Sequence, residues 1–279
     1  MSRLGAWIQA SRPLAQANLA GPLAFGQGLA LAGGLPPSLA MAAVAFGFGV
    51  VDQLVIVWMN DVADEPDDRL HSAPTPFSGG SRVLVEGRLT AAALTRGAWL
   101  AAVALLLLAA AAAMLAGRVW LPPLALAALG LAWAYSCPPL RRSARGGGEW
   151  LQAAGIGVVL PLVGWHSQVG ATLSWELFPW AALLPAIALG YAGHVATAIP
   201  DAHADALAGR RTLAVRLGQT RAALLTLQVS TLATFGTALV LPHAGQTAWL
   251  SLELLALAAA LPAWWMWRRN RAGAPAGAP

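Results

Sequence analysis

The chain of 279 residues contains no lysine: all seventeen of its basic residues are arginines. It has twelve acidic residues, two tyrosines and one cysteine, Cys137, and only 10% of it is charged, against roughly 25% in an ordinary soluble domain. Each shortage excludes something. A single cysteine cannot form an internal disulfide, so the fold does not depend on an oxidising compartment. So little charge cannot cover a water-soluble globule, and the remainder is 58% hydrophobic with a mean hydropathy of +0.62. The net charge of +5 does not point to nucleic acid, because the arginines lie between long apolar runs rather than in one solvated patch. The lipid bilayer is the partner this composition fits, with no nucleic acid.

What is present is a series of apolar segments long enough to cross a hydrocarbon core, for which about 20 helical residues are needed. Eight can be counted, at about 14–33, 38–59, 97–116, 119–135, 150–168, 177–199, 222–241 and 246–267. Arg3 and Arg12 precede a full-length first segment, which is therefore expected to be retained rather than cleaved as a signal peptide. A backbone in lipid must satisfy its own hydrogen bonds, and Ala/Leu runs of this length do so as helices. The expected fold is all-α, a polytopic transmembrane bundle of eight spans. Residues 1–271 would form a single membrane-embedded domain and residues 272–279, a Gly/Ala/Pro tail, would be disordered.

The arginines test that count, since short Arg-rich loops stay cytoplasmic. With eight spans, 16 of the 17 fall on one face, and only Arg118, between the third and fourth spans, falls on the other. Both termini and the arginine-rich loops are accordingly expected in the cytoplasm, with the protein in the cell (inner) membrane.

The acids are gathered too. Asp61, Asp64, Glu65, Asp67 and Asp68 occupy five of eight consecutive positions where the second span leaves the membrane, and Asp201 and Asp205 lie where the sixth span leaves it. Both clusters sit on the arginine-rich side and follow the second helix of a four-helix half, which suggests two parallel four-helix repeats. Acidic residues at a helix exit are most often a solvated loop. Here their agreement in side, depth and repeat position argues for one cavity mouth. On a helix Asn60 and Asp64 are four apart, as are Asp201 and Asp205, so each pair shares a flank. Oxygen donors on two facing helices with arginines nearby suit a diphosphate bridged by Mg²⁺. Pro66 is expected to break the helical ladder between Asp64 and Asp68.

These residues carry a recognisable pattern. The run Asn60-Asp61-Val62-Ala63-Asp64-Glu65-Pro66-Asp67-Asp68 resembles the NDxxDxxxD signature of the UbiA superfamily of intramembrane prenyltransferases. Asp201 and Asp205 followed by Gly209, Thr212-Leu213-Ala214-Val215 and Leu217-Gly218 resemble its second motif, and Tyr135-Ser136-Cys137-Pro138-Pro139 resembles its YSxPP element. Arg12-Pro13 before the first span is also typical. The family usually has nine helices, one more than the count above. Its loop after the first motif often carries a basic Asn-Arg-Pro segment, which this chain replaces with Ala73-Pro74-Thr75-Pro76-Phe77-Ser78-Gly79-Gly80-Ser81-Arg82. That loop is more similar to members acting on 1,4-dihydroxy-2-naphthoate in menaquinone biosynthesis.

The resemblance implies transfer of a polyprenyl group from an allylic prenyl diphosphate to an aromatic acceptor in quinone biosynthesis, with Mg²⁺ as cofactor. It implies Asn60, Asp61, Asp64, Asp68, Asp201 and Asp205 around the metal, with Asp61, Asp64, Asp201 and Asp205 catalytic, and Tyr135 as a ring face for an allylic cation. Arg82, Arg141, Arg142 and Arg211 are the candidates to bind substrate phosphate or carboxylate, and the backbone around Ser78, Gly79 and Gly80 could cradle an anion. Two acids lie inside spans: Asp52 is a candidate acceptor contact, and Glu253, in the first third of the eighth span near the outer surface, is a weaker functional candidate. His194, seven residues before Asp201, reads first as a packing histidine. A terpene cyclase of the same superfamily would use the same acids without an acceptor. A transporter would instead need charged spans crossing the membrane midplane.

Overall fold

The computed structural model describes residues 2–70, 79–170 and 175–240, with scattered positions between 250 and 268. Among them there is no strand. The helices are α1 (Arg3–Ala10), α2 (Pro13–Ala32), α3 (Leu39–Asp68), α4 (Ala91–Ala116), α5 (Leu121–Ser136), α6 (Arg142–Arg145), α7 (Gly148–Ala154), α8 (Leu160–Val169), α9 (Leu183–Ala198), α10 (Ala202–Leu207), α11 (Leu213–Leu217) and α12 (Gln219–Val240). Wider-wound turns at Gly155–Val159 join α7 to α8 in one rod. Helices thus cover the first seven expected spans, whereas 246–267 falls largely outside the described residues, as does the tail from 271 onward. Three described segments combine a length of at least 18 residues with strong apolarity: Leu39–Asp68, Ala91–Ala116 and Trp180–Ala198.

Local chemistry sets the ends. Ser38 and Thr90 cap α3 and α4 by accepting from the Met41 and Ala93 amides at 3.4 and 3.2 Å, and Gly117 ends α4 at a φ of 66°, a left-handed turn that costs glycine little. Pro66 does not break α3. It is exposed in the last turn, where a missing amide costs one ladder bond, and the helix runs through it to Asp68, leaving Asp64 and Asp68 in register.

In a bilayer, where lipid tails are as apolar as leucine, helices are held by close backbone packing, and small residues make that approach available. A Cβ at Gly26 of α2 would collide with the Pro161 carbonyl of α8, and one at Gly164 of α8 would collide with the Leu23 carbonyl of α2. This reciprocal contact joins the first helix of each half. Around it pack Leu19, Leu23, Phe48, Leu105, Leu121 and Val163, all buried. At the bundle end opposite the acids, Arg118 donates through Nε to the Ser167 carbonyl at 2.7 Å, and Gln168 accepts from the Ser38 amide at 2.8 Å. The lone arginine of that face is thus held by the Ser167 carbonyl of α8 and, at 2.9 Å, the Ala116 carbonyl of α4.

At the acid end the short α1 covers the bundle. Ala6 and Ala10 pack on Val83, Leu84, Leu89 and Leu94, Trp7 meets Trp58 edge-on at 5.2 Å, and Gln9 donates to the Ser81 carbonyl at 2.7 Å. This patch fixes the segment 79–89 beside the end of α3.

Candidate active site

The first acid cluster is carried on the rigid last three turns of α3. Asp61 and Asp64 are buried there, while Asn60, Asp67 and Asp68 are half-buried. Asn60 donates to Asp64 Oδ2 at 2.7 Å, as their spacing of four predicts. The second cluster sits where α9 ends and the chain turns into α10: Asp201 immediately precedes α10, and Asp205 is buried one turn later. Thr212 donates its hydroxyl to Asp205 Oδ2 at 3.3 Å while accepting from the Val215 amide at 3.4 Å, so one side chain caps α11 and aims the acid. Burial pushes the Asp205 carboxyl up to about 6, against the pull of Arg210.

These two clusters, about 140 residues apart in sequence, line one cavity of about 160 Å³. Asn60, Asp64, Asp67, Asp68, Asp201 and Asp205 contribute oxygen donors, Arg12 and Arg210 positive charge, and Tyr135 and His194 its floor. The Tyr135 hydroxyl lies 3.0 Å from His194 Nε2, and Gly148 leaves room for both: a Cβ there would come within 3.1 Å of each. His194 therefore both packs and faces the cavity, where sequence reasoning had favoured packing. Gly79 and Gly80, at φ of 76° and 70°, close another wall. A Cβ on Gly80 would strike the Asp68 carboxylate, so only glycine fits.

The arginines sort themselves by geometry. Arg210 lies between the clusters, its Nη2 3.1 Å from Asp64 Oδ2, its Nη1 3.8 Å from Asp67 Oδ2 and its Nε 3.4 Å from Asp205 Oδ1. Burial opposes its charge, yet the surrounding carboxylates hold its pKa above the usual arginine value. Arg141 reaches Asp64 Oδ1 at 3.3 Å, Asp67 Oδ2 at 3.2 Å and the Ala63 carbonyl at 2.7 Å. Arg12, in a left-handed turn before α2, pairs with Asp61, which also accepts from the Ser81 hydroxyl and, at 3.3 Å, from the Ser81 amide. Asp61 is thereby turned to Arg12 and Ser81 and does not line the cavity.

Several sequence-predicted residues are placed elsewhere. Arg211 and Arg142 are exposed outside the cavity, because the Arg211 amide donates to the Ala144 carbonyl at 2.7 Å and turns its side chain out toward a second, open cavity beside Arg141 and Arg145. Arg82 donates to the Asp68 carbonyl and does not line the cavity. Ser78 and the loop 71–78 lie outside the described residues. Asp52 is buried in α3 on the face of Ala45, Phe48 and Gly49 and does not line the cavity: it lies eight residues before Asn60, about 12 Å deeper along the helix. The space at Gly49 is filled by Leu19 and Leu23, so this glycine serves helix packing. Glu253 is a half-buried helical residue.

Sequence reasoning missed Arg210, Asp67 and Thr212 as parts of one network, and gave Arg12 only as a typical motif. Asp67 could have been found, being three residues from Asp64 and so on its flank. Nothing local distinguishes Arg210 from Arg211.

An apolar helical bundle that closes one end over a cavity of carboxylates and half-buried guanidiniums is the architecture of a membrane protein with a charged site at one end. A model of the UbiA prenyltransferase family matches residues 19–278, and the chain belongs to that family. Solved structures share the fold. A UbiA homologue from Archaeoglobus fulgidus bound to DMAPP and Mg²⁺ superposes with a TM-score of 0.67 at 20% identity, over 95% of this chain and 87% of that one. A complex of a homologue from the same organism with GPP and Mg²⁺ gives 0.66 at 23% identity, over 98% and 91%. The apo structure of a homologue from Aeropyrum pernix K1 gives 0.66 at 19% identity, over 91% and 93%. No curated protein matches the chain.

Proposed function

We propose that this protein is an enzyme of the cell (inner) membrane, with its acid-lined end and both termini cytoplasmic. Within a single membrane domain of residues 1–271 it transfers a polyprenyl group from an allylic prenyl diphosphate to an aromatic acceptor, using Mg²⁺. The observation that carries this is the meeting of two distant acid clusters with Arg12 and Arg210 in one cavity. The complexes of the Archaeoglobus fulgidus homologue with DMAPP or GPP and Mg²⁺ support it.

The donor set fits the metal. Asn60, Asp64, Asp68, Asp201 and Asp205 would hold it. Among the described residues no three carboxylates or histidines close a cage around an ion by themselves. Magnesium is ordinarily held in this way, by one or two carboxylates with substrate phosphate oxygens and water completing the shell. When bound, it supplies the positive charge that makes diphosphate a leaving group.

The chain's own residues do the rest. Arg141, Arg210 and Arg12 present donors for phosphate oxygens that need charge neutralised as the allylic C–O bond breaks and its electron pair leaves with diphosphate. The Tyr135 ring, oriented by His194, stands at the floor where the cationic carbon develops. An acceptor ring carbon then forms the new C–C bond, and its proton passes to a cavity carboxylate. The cavity's lining of carboxylates and arginines suits the charged head. The prenyl chain must lie between helices or in lipid, and the apolar bundle excludes water from the cation.

For the acceptor we favour 1,4-dihydroxy-2-naphthoate or a related bicyclic phenolic acid, hence a menaquinone-like pathway. This rests on the loop Thr75–Arg82 in place of the basic version. Arg82, beside the rim, is the group to hold the acceptor carboxylate. The test is a membrane assay offering this acid or 4-hydroxybenzoate with labelled long-chain prenyl diphosphate. Product with 4-hydroxybenzoate alone would overturn the acceptor assignment. Turnover with neither would favour a cyclase.

A further inference from the structure

The residue that spans both acid clusters is Arg210, and its surroundings indicate more than substrate binding. Its side chain is only 12% exposed, and its guanidinium lies against Asp64, Asp67 and Asp205. It is therefore the one described cation that touches a carboxylate of each cluster. It occupies the centre of the donor set, where two facing groups of carboxylates would otherwise repel across a low-dielectric gap. Its backbone is fixed: its amide donates to the Asp205 carbonyl at 2.9 Å, and Gly209 makes the preceding turn at a φ of 71°. Arg210 also borders the outer cavity lined by Arg141, Arg145 and Arg211.

We propose that Arg210 is a resident counter-cation: in the metal-free protein it holds the two clusters together by standing where divalent charge will stand. Arrival of the metal and diphosphate transfers its guanidinium from carboxylate to phosphate oxygens. Arg210 then has two opposed effects. It competes with a divalent ion that arrives alone, and it assists one that arrives with diphosphate. Binding becomes ordered by charge, because a bare ion must displace an arginine whereas a metal with diphosphate supplies that arginine a new anion. The inference rests on the functional reading above.

The experiment uses the full-length protein in detergent and reads Mn²⁺ binding by electron paramagnetic resonance, with and without inorganic pyrophosphate. Wild type is expected to bind Mn²⁺ weakly alone and more tightly with pyrophosphate. In Arg210→Ala and Arg210→Gln, Mn²⁺ alone should bind roughly tenfold more tightly, equivalent to about 1.4 kcal/mol, and the gain from pyrophosphate should shrink by a similar factor. Metal-free Arg210→Gln should also melt earlier than wild type, and saturating Mn²⁺ should restore it. Arg210→Lys, keeping the charge, should lie nearer wild type, and Arg221→Ala, an exposed arginine on α12, should match it. Mn²⁺ affinity that is unchanged or lower in both uncharged variants would overturn the proposal. If wild type binds no Mn²⁺ even with pyrophosphate, the metal-diphosphate reading itself fails, whatever Arg210 does.

Discussion

The two acid clusters face the same cavity but are built differently. The first rides on an unbroken helix of 30 residues, and its acids are pinned by three arginines from three other segments: Arg12 before α2, Arg141 after α5 and Arg210 before α11. The second stands at a break, where α9 gives way to the six residues of α10 and then to a turn and the five residues of α11. Its Asp205 is aimed by Thr212 and by Arg210. One side is a continuous rod; the other is an assembly of short helices, and among the described residues Arg210 bridges the two.

If that contrast is right, removing a carboxylate from either side has the largest effect. Asp64→Ala and Asp205→Ala should each abolish turnover while the protein still inserts and purifies, as should excess EDTA with the wild type. Activity surviving in EDTA would remove the basis of the site.

The next effect is at the rod's outer tie. Asp61→Ala leaves Arg12 without its main carboxylate and frees Ser81, and breaking such a buried pair costs about 3 kcal/mol. A drop in melting temperature should accompany faster proteolysis near residues 79–82. A variant with unchanged melting would show that the glycine wall is held by something other than Asp61.

Thr212→Ala probes the jointed side. Losing a helix cap and a hydroxyl bond to a carboxylate costs about 1–2 kcal/mol. Thr212→Ser should recover most of both stability and turnover. Equal failure of the serine variant would mean that the methyl packing matters, not the hydroxyl.

The smallest effect is expected at Arg211. Its exposed side chain makes charge contributions of about 0–1 kcal/mol, so Arg211→Ala should change apparent substrate affinity by less than about fivefold. A larger loss there than at Arg210 would reverse the assignment of the two neighbours.

That last pair shows where sequence reading stops. Apolar runs of about 20 residues and the placement of arginines outlined the helices, because the bilayer imposes both. Convergence of the acid clusters was legible from their shared side and repeat position. The choice between Arg210 and Arg211 was not. It depends on a backbone bond from Arg211 to Ala144, 67 residues away, which no local pattern encodes. Asp52 reads as a deep site residue because an intramembrane acid is functional by default, and it lies about 12 Å along α3 from Asn60, below the charged cavity. Pro66 read as a break, yet so near the helix end it removes only one bond.

The central claim is that the two clusters form one diphosphate site. Its most direct test is the rate of pyrophosphate release from a labelled allylic diphosphate by wild type, Asp64→Asn, Asp205→Asn and the double variant. One shared site predicts that each single variant falls to the level of the double, with no further loss on combining them. Separate sites would give single losses that multiply, or a single variant that keeps its rate, and either result would contradict the account.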